Sequence, residues 1–354
     1  MRKTRISRRG ILTGSAALAA TAYAAPIRAA APPPSAVTPD LVAAAQKEGK
    51  VVWYTSVDLP LAEKVAKAFE AKYSGISVRV ERSGAERVFQ RIGQEYASSI
   101  RAVDVVNSSD AAHFIVWKRD GLLLPYVPED VAKHYPAAHK DADGTFASFR
   151  VWLSVIGYNA TLVKPEEAPR SFADLLDPKW KGKIVKAHPG YSGTIMTATF
   201  QMARDLGWEY FERLAKQNIM QVQSSADPPK KLALGERAVQ ADGNEYNLFQ
   251  LKESGQPVEP VYATEGSPLI VGPNAVFKAA PNPNAARLLQ SFMFTVDAQQ
   301  LIIDVGGLRS VHPHTKEKPG RKPFAEIKTM KDDPAAVEAQ SEEIKARYTR
   351  IFRV

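Results

Sequence analysis

The sequence predicts an α/β fold with mainly parallel sheets and more than one domain. Between Val51 and Val106, short β-rich runs alternate with segments of helical periodicity. This β-α-β order with short loops is typical of parallel strands covered by helices. A second alternation of the same kind runs from about residue 150 to 265. A chain of 354 residues is long enough to form two domains.

The N-terminal stretch has the pattern of an export signal. Five basic side chains lie within the first nine residues, and the run from Gly10 to Ala25 is apolar, small and uncharged. The Arg8-Arg9 pair before Gly10 resembles a twin-arginine signal. We expect residues 1–30 to be cleaved, residues 31–37 to form an extended linker, and the mature protein to be periplasmic. A membrane anchor is disfavoured because the apolar run is short and weakly hydrophobic.

Charge and cysteine content argue against a nucleic-acid-binding protein and against a fold stabilised by disulfides. The chain has 47 Lys and Arg against 38 Asp and Glu, a formal net charge of +9. Six of the basic residues and none of the acidic ones lie in the first thirty positions, so only +3 remains after cleavage. Nucleic acid is therefore not an expected partner. No cysteine is present, so we expect a large core rather than disulfides to stabilise the protein.

Caps and periodicity predict the elements of the first unit. Thr38 precedes an apolar run that stops at Gly49, which is the pattern of a capped helix. Apolar residues at Leu61, Val65 and Phe69 have helical spacing. We expect helices over 41–49, 61–73 and 85–99, and strands over 51–55, 76–80 and 103–106.

The second unit is predicted in the same way. The apolar run from Phe146 to Tyr158 predicts one long strand. Ser171 and Pro178 bracket a short helical turn before another short strand. We expect further helices over 195–206, 208–216, 230–235, 247–254, 281–295, 296–305 and 333–352, and strands over 183–186, 238–241, 258–262 and 269–271.

Polar loops follow the strands of the first unit. Each is short and stands where a helix begins, and helix N-termini present free N–H groups to anions. The alternative is that Ser56, Ser83 and Ser108 only cap their helices, as serine commonly does. Three such loops at corresponding strand ends favour a binding site. The candidate residues are Thr55, Ser56, Asp58, Arg82, Ser83, Ser108 and Ser109.

A glycine-rich segment opens a helix in the second unit. Gly190 and Gly193 permit close approach of the backbone, and Ser192 and Thr194 are suited to cap the helix or hold an oxyanion. The segment is not a nucleophile elbow, since Thr194 stands where the Gly-x-Ser-x-Gly frame requires glycine.

The string Ser171 to Ile184, SFADLLDPKWKGKI, resembles a corner of type II periplasmic solute-binding proteins. The chain is identified by resemblance as a family 1 extracellular solute-binding protein, close to the ferric-iron-binding branch. Further similar segments are Val51 to Thr55, Asp104-Val105-Val106, Ser192-Gly193, Gly235-Glu236 and Asn244-Glu245-Tyr246.

This resemblance implies two α/β lobes joined by two crossing strands, with a ligand in the cleft between them. The first lobe would comprise residues 38–148 and 270–325, and the second 149–269 and 326–354. It also implies a monomer that is not an enzyme, carries no cofactor and delivers a small molecule to the permease of an ABC importer in the inner membrane.

The residues that bind iron in the resembling branch are only partly present. That branch uses a His, a Glu and two consecutive Tyr, and these positions fall at Asp58, Ser109, Glu245 and Tyr246. Asp58, Glu245 and Tyr246 are hard oxygen ligands that Fe³⁺ accepts, so ferric iron with a synergistic anion is an alternative ligand. The anion positions of that branch correspond to Ser192, Gly193, Thr194 and Ser225.

The main hypothesis is a small organic solute with an anionic group. Its oxygens would meet the helix start at 192–194, and Arg82, Arg87 or Arg150 would add a charge-assisted contact. Asp58 and Glu245 would face a hydroxyl or amino group, and a zwitterion fits that mixture.

Two aromatic residues, Trp152 and Tyr191, would stack on the solute. The alternative for Trp152 and its neighbour Arg150 is packing within a hinge strand.

An exported hydrolase that uses the same cleft is a remote alternative. Asp58 and Glu245 could act as an acid/base pair, but no nucleophile or metal cluster accompanies them. The six histidines lack a metalloprotease motif, and Pro313 prevents His312 and His314 from sharing a helix face. We expect these histidines to be solvated loop residues.

Overall fold

A computed structural model describes residues 30–354 of the chain. The predicted signal peptide, except for its last residue, lies outside the described residues. Within 30–354, no helix has the length and apolar character needed to span a membrane.

The first part of the chain alternates helices and strands as expected. Helix α1 begins at an N-cap, Thr38, whose side chain accepts a hydrogen bond from the Leu41 N–H at 3.2 Å, and ends at Gly49 with a left-handed φ of 68°. The elements are α1 (Pro39–Glu48), β1 (Lys50–Thr55), α2 (Leu59–Lys72), β2 (Ser77–Arg82), α3 (Ala85–Ala97), β3 (Val105–Asn107), α4 (Ala112–Arg119) and α5 (Glu129–His134).

The middle part builds a second α/β unit. Its elements are β4 (Ala147–Leu153), β5 (Ile156–Asn159), β6 (Ile184–Ala187), α6 (Gly193–Leu206), α7 (Trp208–Ala215), β7 (Met220–Val222), α8 (Asp227–Ala233), β8 (Val239–Gln240), α9 (Glu245–Glu253) and β9 (Val258–Val261). The last part contains β10 (Ser267–Val276), α10 (Pro283–Met293), α11 (Val296–Asp304), β11 (Thr329–Met330) and α12 (Pro334–Phe352).

The strands form two sheets, one in each lobe. The first has the order β11-β10-β3-β1-β2 with β4 also paired to β10, and the second has the order β7-β6-β8-β5-β9. β1 is parallel to β2 and β3, and β6 is parallel to β7 and β8. The crossing strands β4, β5 and β10 enter antiparallel, so both sheets are mixed.

The predicted single strand from Phe146 to Tyr158 is wrong. It is interrupted at Ser154 and Val155, where the backbone changes partner. The Ser154 N–H donates to the Pro268 carbonyl at 3.0 Å, whereas the Val155 N–H donates to the Gly243 carbonyl at 2.9 Å. This interruption sends β4 to one sheet and β5 to the other, and it is where the chain first crosses between the lobes.

Several short elements were not predicted: α4, α5, β7 and β11. They are short or half-buried, so their periodicity is weak. The long helix α12 was predicted, and it packs against α4 of the first lobe as well as α6 and α7 of the second.

The corner that carries the family resemblance has a structural role. Asp177 caps a short 3-10 helix over Pro178–Trp180 by accepting a hydrogen bond from the Lys179 N–H at 2.9 Å. Trp180 is buried in the core of the second lobe against Phe172, Ile184 and their neighbours. The corner therefore joins a turn to strand β6 and contributes no residue to the cavity described next.

Candidate functional site

A polar cavity of about 210 Å³ lies between the two lobes. It opens beyond the carboxyl ends of β1 and β2, where sheets of this kind bind ligands. Its volume is below the roughly 300–1,000 Å³ of drug-sized pockets, so it fits a small solute. The predicted residues that line it are Ser56, Asp58, Arg82, Arg87, Ser109, Arg150, Trp152, Tyr191, Ser192, Thr194, Ser225 and Tyr246.

Arg150 is the most unusual group in this cavity. Its side chain is only 2% exposed, yet no carboxylate of the described residues lies within 4 Å of its guanidinium. Nε donates to Asn107 Oδ1 at 3.2 Å and Nη2 donates to Ser56 Oγ at 3.0 Å. Burial lowers the pKa of Arg150, but an arginine remains charged in a protein. The cavity therefore contains a buried positive charge that forms no ion pair with a carboxylate among residues 30–354.

Neighbouring residues hold Arg150 in place. Its guanidinium carbon lies 4.4 Å from the centre of the Trp152 ring, a cation–π contact. Gly272 pairs with it on β10, and a Cβ at Gly272 would lie 3.0 Å from Arg150 Cγ. The missing side chain at this position leaves space for the arginine, and Asn107 is itself fixed by the Pro273 carbonyl at 2.7 Å.

An aromatic and amide wall adjoins Arg150. Trp152 Nε1 donates to Asn244 Oδ1 at 3.2 Å, and Asn244 Nδ2 donates to the Tyr246 hydroxyl at 3.0 Å. The Trp152 and Tyr246 rings meet edge to face with centroids 6.3 Å apart. Trp152 thus packs in the crossing strand and also lines the cavity, and its stacking on a solute stays a prediction.

Asp58 links the lobes across the cavity. It accepts a hydrogen bond from Asn247 Nδ2 of the second lobe at 3.1 Å, and its other oxygen lies 3.7 Å from Arg82 Nη2. Arg87 also reaches across, donating from Nη2 to Gln223 Oε1 at 3.4 Å.

The helix start at Ser192 faces the same space. Ser192 is the N-cap of α6, but its hydroxyl makes no capping hydrogen bond. The side chain and the first N–H groups of α6 are therefore suited to an anionic oxygen. Tyr191 lies beside it at the rim, 50% exposed, with its ring 5.4 Å from that of His188.

Gly193 serves the contact between lobes rather than the cavity lining. A Cβ at Gly193 would lie 2.6 Å from Asp110 Cβ and 3.0 Å from the carbonyl carbon of Ser109. Glycine therefore lets α6 of the second lobe approach the loop after β3 of the first.

Glu245 does not face the cavity, and this prediction is corrected. It is fully buried and accepts hydrogen bonds from Nη2 and Nε of Arg309 at 2.7 and 3.1 Å. The Tyr262 hydroxyl donates to the same carboxylate at 2.5 Å. With its charge compensated, Glu245 has a structural role.

Three further candidates do not line the cavity. Thr55 Oγ1 accepts a hydrogen bond from the Val57 N–H at 3.0 Å, Ser108 Oγ lies 3.3 Å from His113 Nδ1, and the Ser83 N–H donates to the Thr55 carbonyl at 3.1 Å. These residues shape the loops beneath the site.

The capping alternative for the serines is also wrong. The N-caps of α2, α3 and α4 are Asp58, Gly84 and Ala111. Each serine lies one to three positions before the N-cap. The pattern of polar residues therefore identified each loop, but not the residue that caps the following helix.

Several residues that line the cavity were not predicted from the sequence. Glu86 lies in the first turn of α3, and the nearby His113, whose Nε2 is 3.7 Å from Glu86 Oε2, is the main cause that lowers the pKa of Glu86 to about 2. Only the packing of the two lobes turns such residues inward. The missed side chains are Glu86, Gln90, Gln223, Ser224 and Asn244.

The iron-ligand set is not brought together. Asp58 and Tyr246 line the cavity, whereas Glu245 is held by Arg309. Burial, followed by the charge of Asp58, raises the pKa of Tyr246 well above its ordinary value. A tyrosinate ligand is therefore opposed in this arrangement.

Two of the six histidines are buried, which corrects the expectation of solvated loop residues. His113 lies within α4, and His312 lies after α11.

The part of the chain that contributes Ser109, Arg150 and the second-lobe lining residues matches a known family. The bacterial extracellular solute-binding protein family matches residues 103–333, well over half of the chain. The chain belongs to this family. Solute-binding proteins of this kind serve ABC transporters, and the family resemblance inferred from the corner motif is confirmed.

Individual relatives are similar over most of their length. Iron uptake protein A1 of Synechocystis is 26% identical over 251 residues, 65% of this chain and 67% of that protein. A putative 2-aminoethylphosphonate-binding periplasmic protein of Salmonella typhimurium is 26% identical over 249 residues, 66% of this chain and 69% of that protein.

A solved structure confirms the two-lobed type II periplasmic binding protein fold. The periplasmic binding protein AfuA from Actinobacillus pleuropneumoniae, solved with exogenous fructose-6-phosphate bound, superposes with a TM-score of 0.79 at 24% identity. The match covers 87% of this solute-binding protein and 99% of AfuA.

Proposed function

We propose that this solute-binding protein captures a small organic solute with an anionic group in the cavity around Arg150. The observation that carries the proposal is the buried Arg150 guanidinium, which no carboxylate of the described part of the chain, 30–354, approaches within 4 Å. Desolvating an unpaired charge costs several kcal/mol, and an anion bound beside it restores the missing counter-charge. The helix start at Ser192, on α6, would contact the same anionic group.

Acidic side chains in the same cavity favour a zwitterion. Glu86 and Asp58 line the cavity together with Arg82 and Arg87. Because its pKa is held at about 2, Glu86 stays ionised at neutral pH and is suited to attract an ammonium group. A solute with one anionic and one cationic end would therefore satisfy both ends of the cavity.

Two relatives support the same ligand class. One is described as binding 2-aminoethylphosphonate, which joins an amine to a phosphonate, and another was solved with a sugar phosphate. Ferric iron is the second candidate, since another relative is an iron uptake protein and Asp58 and Tyr246 offer hard oxygens in the cavity.

The cellular setting belongs to the same proposal. The basic and apolar N-terminus supports export through a twin-arginine route and cleavage of the signal peptide. We expect a periplasmic monomer that hands its ligand to an inner-membrane permease. We also expect residues 38–148 with 270–325 and residues 149–269 with 326–354 to move as the two lobes.

The test begins with the ligand itself. Native mass spectrometry of the protein purified from an exporting host would identify co-purifying small molecules, and a thermal-shift panel of phosphonates, phosphates and amino acids would rank them. Ligand at about a hundredfold over Kd should add ~2.7 kcal/mol to stability. The Arg150→Met variant should lose this gain. Equal gains in the variant and the wild type would refute the proposal.

The same experiment distinguishes binding from catalysis. A binding protein returns its ligand unaltered, so the ligand released by denaturation should have its original mass. A changed mass would support the alternative of a secreted hydrolase.

A further inference from the structure

Three histidines and one aspartate come together on the first lobe, away from the cavity. His134 ends helix α5, and Asp130 lies one turn earlier on the same helix. His312 and His314 come from the loop after α11. The His134 ring centre lies 5.0 Å from that of His312 and 4.9 Å from that of His314, and the His312 and His314 rings are 5.5 Å apart.

His312 is the anchor of this cluster. It is only 3% exposed, and its Nε2 has no hydrogen-bond partner among residues 30–354. A buried imidazole nitrogen without a partner is costly in a folded protein, so it calls for a ligand or another explanation. The Tyr135 ring packs edge to face against the imidazole with centroids 5.9 Å apart, which fixes the orientation of His312.

We propose that Asp130, His134 and His312 bind a divalent transition-metal ion of the zinc class. One ligand atom from each of the three lies within 4.8 Å of the others, and His134 Nε2 is 3.9 Å from Asp130 Oδ1. Tetrahedral Zn²⁺ holds nitrogen and oxygen ligands at about 2.0–2.2 Å, which places neighbouring ligand atoms roughly 3.3 Å apart. Small side-chain rotations of the two half-buried residues on α5 close this gap.

The ligand types select the metal. Imidazole nitrogen suits Zn²⁺, Cu²⁺ and Ni²⁺, whereas Ca²⁺ and Mg²⁺ prefer sites made of oxygen. Two imidazoles and one carboxylate leave a fourth position for water or for His314. The site shares no residue with the interlobe cavity, so it is independent of the proposed solute.

Coordination also has a local consequence. His312 Nδ1 accepts a hydrogen bond from the His314 N–H at 3.3 Å, so the ring proton of neutral His312 sits on Nε2. A metal at Nε2 requires that proton to move to Nδ1. A protonated Nδ1 can no longer accept the hydrogen bond from the His314 N–H, so this hydrogen bond breaks. The loop is then free to bring the His314 ring towards the metal.

The test uses the untagged protein after chelator treatment, because a histidine tag would itself bind the ion. Titration calorimetry with ZnCl₂ should show one ion per chain, and Co²⁺ should give the intense visible absorption of a tetrahedral site. His134→Gln should weaken Zn²⁺ binding roughly 100-fold or more, and Asp130→Asn should weaken it less. MgCl₂ should give neither heat nor a shift in Tm.

Matched variants keep the outcome clear. His139→Gln removes a half-buried histidine elsewhere on the first lobe and should bind Zn²⁺ as the wild type does. Absence of Zn²⁺ binding in the wild type, equal binding in His134→Gln, or loss of binding in His139→Gln would each overturn the proposal. Since solute binding is measured separately, a negative result here leaves the proposed function untouched.

Discussion

Arg309 donates two hydrogen bonds to Glu245, at 2.7 and 3.1 Å, where the loop after α11 meets the start of α9. The pair joins the last part of the chain to the second lobe, and both side chains are almost completely buried. Glu245 immediately precedes Tyr246, which lines the cavity. The buried ion pair therefore fixes the position of the backbone that carries Tyr246.

Removing the charge of Glu245 should destabilise the protein more than it weakens binding. Glu245→Gln leaves the Arg309 guanidinium buried and only partly compensated, and breaking such a pair costs about 3–5 kcal/mol. Urea denaturation monitored by tryptophan fluorescence measures this loss. The double variant Glu245→Leu with Arg309→Leu should recover much of it. A stable Glu245→Gln variant that no longer binds solute would restore Glu245 as a ligand residue.

Arg150→Met should have the opposite effect. The methionine removes a buried cation that has no carboxylate within 4 Å, while it keeps much of the side-chain volume. We expect the unfolding free energy of the ligand-free protein to change by less than ~1 kcal/mol, because lost hydrogen bonds to Asn107 and Ser56 offset the relief of desolvation. Denaturation without ligand checks this. A large loss of stability would show that Arg150 is structural.

Gly193→Ala tests the closeness of the lobes. A Cβ 2.6 Å from Asp110 Cβ cannot be accommodated without movement. Alanine favours a helix over glycine by up to ~1 kcal/mol, so the ligand-free protein should remain folded. We expect affinity for the solute to fall about tenfold or more, since a 1.4 kcal/mol cost of closure is tenfold. Calorimetry measures affinity, and small-angle scattering should show a smaller ligand-induced compaction than in the wild type.

Tyr246→Phe separates the solute from ferric iron. Burial raises the pKa of Tyr246, so the phenol resists ionisation and we expect no visible charge-transfer band with ferric citrate. Absorption spectroscopy at neutral pH checks this directly. A visible band in the wild type that disappears in Tyr246→Phe would establish iron as the ligand.

Asp332 should make stability depend on pH. Burial raises the pKa of its carboxyl to about 7, above the ordinary value of about 3.9 in an unfolded chain. The folded protein then binds this proton more tightly, so Asp332 lowers stability as pH rises from about 4 through 7. Asp332→Asn should therefore gain stability over the wild type at pH 8, on the order of 2 kcal/mol, with little difference at pH 4.

Denaturation curves of both proteins at the two pH values test this effect. Asp333→Asn is the control. The carboxyl of Asp333 lies next to Asp332 in the chain, but it caps α12 and is exposed. A constant difference between wild type and Asp332→Asn at both pH values would contradict the prediction.

Local sequence rules identified much of the site but not all of it. Asp58 and Ser192 were recognised because polar residues before helices follow directly from capping and turn chemistry. Glu86 and Asn244 were missed because they lie at the starts of helices whose inward side is defined by the opposite lobe. The interruption of the strand at Ser154 was missed because the run stays apolar on both sides, and only its hydrogen-bond partners change.

The sequence by itself determined most of the longer helices and strands, the family through its Asp174–Ile184 corner, and the polar helix starts that surround the cavity. Those are local properties, set by backbone propensity, capping and periodicity. Only the tertiary structure decided which charges are compensated. Glu245 has its partner 64 residues further along the chain, in Arg309, whereas no carboxylate among residues 30–354 forms an ion pair with Arg150. Electrostatic pairing depends on distance in space, so the residue that best reveals the ligand became visible only after folding.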